Sequence, residues 1–274
     1  MTLIRPAKQL WPPVLLGSQF VFNIGFYAVV PFLAIFLRDD MLLSGGLIGL
    51  VLGLRTFSQQ GMFIVGGALS DRYGARIIIL CGCVVRVVGY MLLAFGYSLP
   101  VIIAGACLTG IGGALFSPSI EALLAKAGTR SEAQGKRSRA EWFALFAVCG
   151  ELGAVLGPVA GALLTGLGFR QVALAGAAVF VVALIVLFFC LPAGSAKNQP
   201  LHITPWWTTF RQPRFVAFII AWSSWLLSYN QLYLALPVEI QRAGGSEKDL
   251  GPLFMLASAL VILFQLPLAR FARR

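Results

Sequence analysis

The sequence predicts an all-α polytopic membrane protein, and three observations carry that prediction. Apolar residues fall in eight runs, each near the roughly 20 residues that cross a hydrocarbon core of about 30 Å. Hydrophobic residues make up 59% of 274 positions and charged residues 11%, a balance far more apolar than a water-solvated domain carries. Lysines and arginines gather on alternate connections between the runs. Backbone groups in lipid must be satisfied within their own segment, so runs of this length are helices rather than strands.

Taken in order, the first run (10–37) holds Asn23, Gly25, Tyr27 and Pro31 and follows Arg5 and Lys8. It is too long for the apolar region of a signal peptide and is expected to stay in the protein. The second run (46–70) is unusually polar for lipid, with Leu54-Arg55-Thr56-Phe57-Ser58-Gln59-Gln60-Gly61. The third (77–96) carries Arg86, the fourth (99–124) carries Leu115-Phe116-Ser117-Pro118 and Glu121, the fifth (142–166) carries Glu151, and the sixth spans 171–192. A longer polar stretch, 193–213, precedes the seventh (214–237) and eighth (250–269) runs. The expected organisation is a six-helix bundle over 1–192, a central cytoplasmic loop over 193–213, and two helices of a second bundle over 214–274. A shift of 206 positions aligns Tyr27 with Tyr233, Pro31 with Pro237, Gly45 with Gly251 and Gln59 with Gln265, which hints at a duplicated unit.

The net charge of +11 raises the question of nucleic acid, but the cations are spread by topology rather than gathered on one face with base-reading partners. Only Arg38, Arg170, Arg242 and Lys248 fall on the sparse side; every other Lys and Arg outside the runs falls on the opposite one. By the positive-inside rule that richer side is the cytoplasm, and both termini lie there. The basic stretch 126–139 reads as a topogenic loop, with a lipid-binding patch as the alternative. Trp11, Trp142, Trp206 and Trp207 sit at expected cytoplasmic interfaces, where an amphipathic ring is favoured. Cys81, Cys83, Cys107, Cys149 and Cys190 lie within apolar runs without metal-type spacing and read as packing residues, so neither a metal site nor a cofactor is expected.

The strongest local pattern is Gly67-Ala68-Leu69-Ser70-Asp71-Arg72-Tyr73-Gly74-Ala75-Arg76, between the second and third runs. A very short connection must reverse a helix there. Gly74 permits the turn, Gly67 is expected to allow close helix approach, and Asp71 and Arg76 are charges placed to pair with helix ends. This resembles motif A of the major facilitator superfamily, although Ala75 stands where that family usually has a basic residue. The resemblance implies a cytoplasmic latch made by Asp71, Arg72 and Arg76, with Glu121 as the expected partner of Arg76.

In the fifth run Gly153, Gly157 and Gly161 form a stripe of small residues four apart, and Pro158 removes one backbone hydrogen bond. Another helix can pack closely on that stripe. The run also resembles motif C, found in antiporter members, with Ala162 in place of its last glycine. The polar second run, Arg86 and the Leu115–Pro118 stretch together resemble the MdtH type of bacterial multidrug efflux proteins, a drug:proton antiporter subgroup with twelve helices. Measured against that subgroup, the chain looks C-terminally truncated.

Arg55, Arg86 and Glu151 lie at mid-depth, where ionisable groups are costly and usually face a cavity or one another. A buried carboxylate beside an arginine is a candidate proton carrier, because its surroundings set its charge. Glu151 is that candidate; a structural pair with Arg55 or Arg86 is the other reading. In the family helices 1, 4 and 7 line the substrate cavity, so Asn23, Tyr27, Tyr229, Asn230 and Tyr233 are cavity candidates by resemblance.

The expected function is proton-coupled efflux of small amphiphilic molecules or drugs by alternating access, in a bacterial inner membrane. The alternatives are a facilitator for a sugar, siderophore or metabolite, or a fragment that does not transport. The expected partners are a small-molecule substrate, protons and the lipid bilayer, without nucleic acid. An enzyme is not expected: His202, the sole histidine, lies in the central loop without an acid nearby.

Overall fold

The computed structural model describes residues 12–192, 211–244 and 250–271. Its helices are α1 (Pro12–Tyr27), α2 (Val30–Asp39), α3 (Gly45–Gln60), α4 (Phe63–Tyr73), α5 (Ala75–Phe95), α6 (Leu99–Ala133), α7 (Arg139–Thr165), α8 (Phe169–Cys190), α9 (Pro213–Arg242) and α10 (Leu250–Phe271). Six membrane-length apolar spans occur among the described residues: α1 with α2, α3 with α4, and then α5, α6, α7 and α8 singly. Helices α9 and α10 occupy the expected seventh and eighth runs. Residues 1–200 with 261–274 form one compact unit and 201–260 another.

Span 1 breaks at Ala28 and Val29 because Pro31 has no N–H and its ring crowds the Tyr27 carbonyl four residues back. The Val29 N–H instead reaches Phe26 O at 3.2 Å, and the helix resumes at Val30. Span 4 runs past its expected end at 124. Residues 125–133 are mostly good helix formers, and the chain turns only at Gly135, with φ +67°. Span 5 starts at Arg139 rather than 142, behind a capping box in which Ser138 Oγ accepts the Glu141 N–H and Glu141 Oε2 accepts the Ser138 N–H.

The six spans pack as two sets of three related by exchange. Span 3 lies between spans 4 and 6, span 1 packs on spans 5 and 6, and span 2 packs on span 4. Exchanging 1 with 4, 2 with 5 and 3 with 6 maps the 3–4 contact onto 6–1, the 1–5 contact onto 4–2, and the 3–6 contact onto itself. Spans 3 and 4 touch backbone to backbone. A Cβ on Gly82 would lie 2.8 Å from Gly112 O, and one on Gly89 would lie 2.9 Å from Gly105 O. Glycine at both levels of both antiparallel helices makes that approach possible.

The core runs through the middle of this unit. Phe22 stacks on Phe116 at 4.4 Å and meets Phe180 edge-on at 5.5 Å, and Tyr90 Oη donates to Gly25 O at 3.2 Å. Large apolar side chains such as Ile64, Val182, Ile185 and Phe189 point outward, as on a surface solvated by lipid. Also within this unit, Arg270 Nε, in the last turn of α10, donates to Glu141 Oε1 at 3.1 Å. In the second unit Phe218 stacks on Trp222 at 6.0 Å and Arg242 pairs with Glu239 at 2.7 Å.

Candidate functional site

Two arginines from neighbouring spans lie against one aromatic ring, that of Phe26. Arg55 lies ten residues into α3 and Arg86 eleven into α5, each about 15 Å along its helix at 1.5 Å per residue. Both are buried, Arg86 completely. Arg55 Nη2 donates to Gln59 Oε1 at 2.7 Å, one helical turn on, and its guanidinium lies 4.4 Å from the Phe26 ring centroid. Arg86 Nε donates to Thr109 O at 3.1 Å, and its guanidinium sits 4.0 Å from the Phe22 ring, 4.9 Å from Phe180 and 5.5 Å from Phe26. A Cβ on Gly113 would meet Arg86 Nη2 at 3.0 Å and Gln59 Cδ at 3.1 Å, so these side chains converge in the space that this glycine leaves open.

Beyond one hydrogen bond each, to Gln59 Oε1 and Thr109 O, these cations lie against aromatic faces. Among the described residues, Arg86 Nη1 and Nη2 and Arg55 Nε have no hydrogen-bond acceptor. A desolvated cation over a ring gains about 2 kcal/mol or more, which offsets part of the cost of taking a guanidinium out of water.

Glu151 lies partly buried on α7, and no ion pair between described residues joins it to Arg55 or Arg86. The seam between spans 1 and 5 lies beside it. Asn23 Nδ2 donates to Gly150 O at 3.1 Å. Cβ atoms on Gly153 and Gly157 would come within 2.7 Å of Asn23 Cβ and Tyr27 Cβ, and one on Gly161 would run into Ala28 O and the Phe32 ring. The glycine stripe is therefore occupied by span 1, with α7 continuous through Pro158. The side chains of Tyr229, Asn230 and Tyr233 lie outside the described residues, as do Trp11, His202, Trp206 and Trp207.

The span 2–3 turn is a single residue, Gly74, at φ +90° and ψ +138°, a conformation that L side chains rarely adopt. Asp71 and Arg72 are exposed, and Arg72 lies 5.1 Å from the Tyr73 ring. Two expectations change here. Arg76 Nη2 donates to Phe188 O at 2.7 Å, near the end of span 6, instead of pairing with Glu121; its helix begins beside the last carbonyls of α8, whose negative dipole end attracts a cation. Close approach belongs to Gly66, whose Cβ would collide with the backbone of Ala114, while a Cβ on Gly67 would meet nothing within 4 Å. The preceding residue faces span 4 because helix phase, not motif position, sets the contact.

Sequence reasoning did not single out the aromatic cage of Phe22, Phe26 and Phe180, nor Thr109, Gly66 or Gly113. One signal was present: Phe22 with Phe26 and Arg55 with Gln59 are each four residues apart, on one helix face. The pairing across spans had no such signal.

Residues 15–274 match the model of the Major Facilitator Superfamily. An uncharacterized MFS-type transporter of Mycobacterium tuberculosis (strain ATCC 25618 / H37Rv) is 38% identical over 238 residues, covering 86% of this chain and 54% of that protein. Multidrug resistance protein MdtH of Aeromonas hydrophila is 30% identical over 273 residues, covering 99% of this chain and 67% of that protein. The chain thus spans between half and two thirds of the length of these relatives. Among solved structures, the human organic anion transporter MFSD10 aligns with a TM-score of 0.71 at 20% identity, over 97% of this chain and 73% of that one. A peptide transporter, POT, aligns with a TM-score of 0.60 at 19% identity, over 87% of this chain and 48% of that one; at these identities the likeness is one of fold. The six-span unit, its single-glycine turn and the match over most of the sequence agree: the chain is a member of the Major Facilitator Superfamily.

Proposed function

We propose that the chain belongs to a proton-coupled exporter of small amphiphilic molecules, working by alternating access in a bacterial inner membrane with both termini in the cytoplasm. The observation that carries this reading is the pair of buried arginines, Arg55 and Arg86, with Gln59 bonded to the first, since ionisable residues kept inside a membrane usually serve transport. Kinship with proteins named for multidrug resistance supports the substrate class, and the span 5 glycine stripe supports export. In this scheme Glu151 carries the proton, Asn23 and Tyr27 face the substrate together with Tyr229, Asn230 and Tyr233, and Asp71, Arg72 and Arg76 latch the cytoplasmic side.

A second reading draws on the same arginines. Two buried guanidiniums with unbonded N–H groups suit a small organic anion, which supports a metabolite as the solute. Efflux of the cation ethidium and of an anionic fluorescein dye from energised, efflux-deficient cells separates the two readings. The chain is expressed alone and joined to the remaining C-terminal segment of an MdtH relative, with and without a protonophore. Protonophore-sensitive ethidium efflux that is lost in Glu151→Gln supports the first reading. Dye transport that depends on Arg86, without ethidium efflux, supports the second, and no transport of either sinks both.

A further inference from the structure

Helix α6 is 35 residues long, about 52 Å at 1.5 Å per residue, and so outruns a hydrocarbon core of about 30 Å. Its last turns therefore leave the hydrocarbon and cross the headgroup layer. Lys126, Arg130 and Gln134 share one face of those turns, four residues apart, with Ser131 beside them. The chain then reverses through Gly135, and Ser131 Oγ donates to Arg137 O at 2.8 Å, which holds the reversal closed. Lys136 and Trp142 complete a cavity of about 460 Å³ against Pro12 and Pro13, where span 1 begins.

The chemistry of this cavity is one-sided. Lys126, Arg130 and Lys136 line it, and the Arg137 guanidinium lies 5.1 Å from the Trp142 ring. No carboxylate is among its lining residues. The nearby acids are engaged elsewhere: Glu132 Oε2 accepts the Arg139 N–H at 3.4 Å, and Glu141 closes the capping box and accepts from Arg270. Among the described residues Trp142 Nε1 is buried without an acceptor, an unusual state for an indole N–H at a membrane interface.

We propose that this cavity, between the ends of spans 1, 4 and 5, binds the phosphate headgroup of an anionic glycerophospholipid of the adjoining leaflet. Three cations and a carboxamide around one pocket match a phosphodiester, and Ser131 Oγ, its hydrogen given to Arg137 O, can accept from a glycerol hydroxyl. Location selects the lipid over a soluble phosphate, because the pocket opens where the apolar first turns of span 1 meet the charged end of span 4. By the positive-inside rule the leaflet is the cytoplasmic one. The site does not depend on what the protein transports.

The test is native mass spectrometry of the delipidated 274-residue chain with added phosphatidylglycerol, phosphatidylcholine or glycerol 3-phosphate. Wild type should retain phosphatidylglycerol in clear preference to phosphatidylcholine. Each cation near an anionic surface contributes about fivefold, so the triple variant K126Q/R130Q/K136Q should lose the preference by roughly a hundredfold. The variant R211Q/R214Q, with two cations removed elsewhere, should keep it. Equal loss in both variants, an unchanged preference in the triple variant, or competition by glycerol 3-phosphate at the affinity of the lipid would overturn the assignment. A photoreactive phosphatidylglycerol probes wild type without substitution: labelling concentrated in residues 123–142 supports the site, and labelling elsewhere refutes it.

Discussion

Replacing Phe22 with Leu tests whether aromatic faces hold the buried arginine in place. The Arg86 guanidinium lies 4.0 Å from the Phe22 centroid and is fully buried, so this contact should contribute about 2 kcal/mol. The same ring also stacks on Phe116 at 4.4 Å and meets Phe180 at 5.5 Å, contacts of about 0.5–1.5 kcal/mol each. Phe22→Leu alone should therefore cost roughly 3–5 kcal/mol. Arg86→Met keeps a long apolar stem while removing the charge, its bond to Thr109 O and the unbonded Nη groups. In that background Phe22→Leu loses only its aromatic contacts, and its cost should fall to about 1–3 kcal/mol. The difference, about 2 kcal/mol or a factor near 30 in the unfolding constant, is the coupling energy of the pair. Titrating the four proteins from dodecyl maltoside into dodecyl sulfate, followed by helical circular dichroism, measures it. A coupling below about 0.5 kcal/mol would refute the cage and leave the rings as packing alone.

Three further outcomes follow from the geometry. Gly112→Ala places a methyl 2.7 Å from Gly82 O and should cost about 1–3 kcal/mol in the same unfolding titration, whereas Gly67→Ala, with nothing within 4 Å, should change it by less than about 0.5 kcal/mol. Gly74→Ala forces an L side chain to φ +90° and should cost about 1–2 kcal/mol, read as an earlier midpoint; an unchanged midpoint would mean that the turn relaxes freely. Ser138→Ala removes one half of the span 5 capping box and should cost about 1 kcal/mol, with the faster amide hydrogen exchange confined to the first turn of α7.

The membrane class, the order of the spans and the reversal at Gly74 were legible in the sequence, because each depends on local chemistry. A run of about 20 apolar residues has few structures open to it in lipid, and a one-residue connection at positive φ calls for glycine. The capping box Ser138-Arg139-Ala140-Glu141 was equally local and fixes the start of span 5 at Arg139 rather than 142. The long extension of span 4 was less so, since helix formers such as Ala125, Lys126 and Ala127 also occur in loops and only Gly135 ends the run.

What lies across from each residue was decided by the tertiary structure. The sequence placed Arg55 and Arg86 at the same depth, but only packing sets both against Phe26 and surrounds Arg86 with Phe22 and Phe180 from spans 1 and 6. It marked Arg76 as a charge at a helix end, but packing chose the Phe188 carbonyl over Glu121. It marked Gly67 within its motif, but helix rotation put Gly66 against span 4. Sequence carries periodicity, length and charge along one helix, which is enough to say that a span forms. Contacts between spans depend on the rotation and depth of two helices at once, and both are set by how all six fill the space between them.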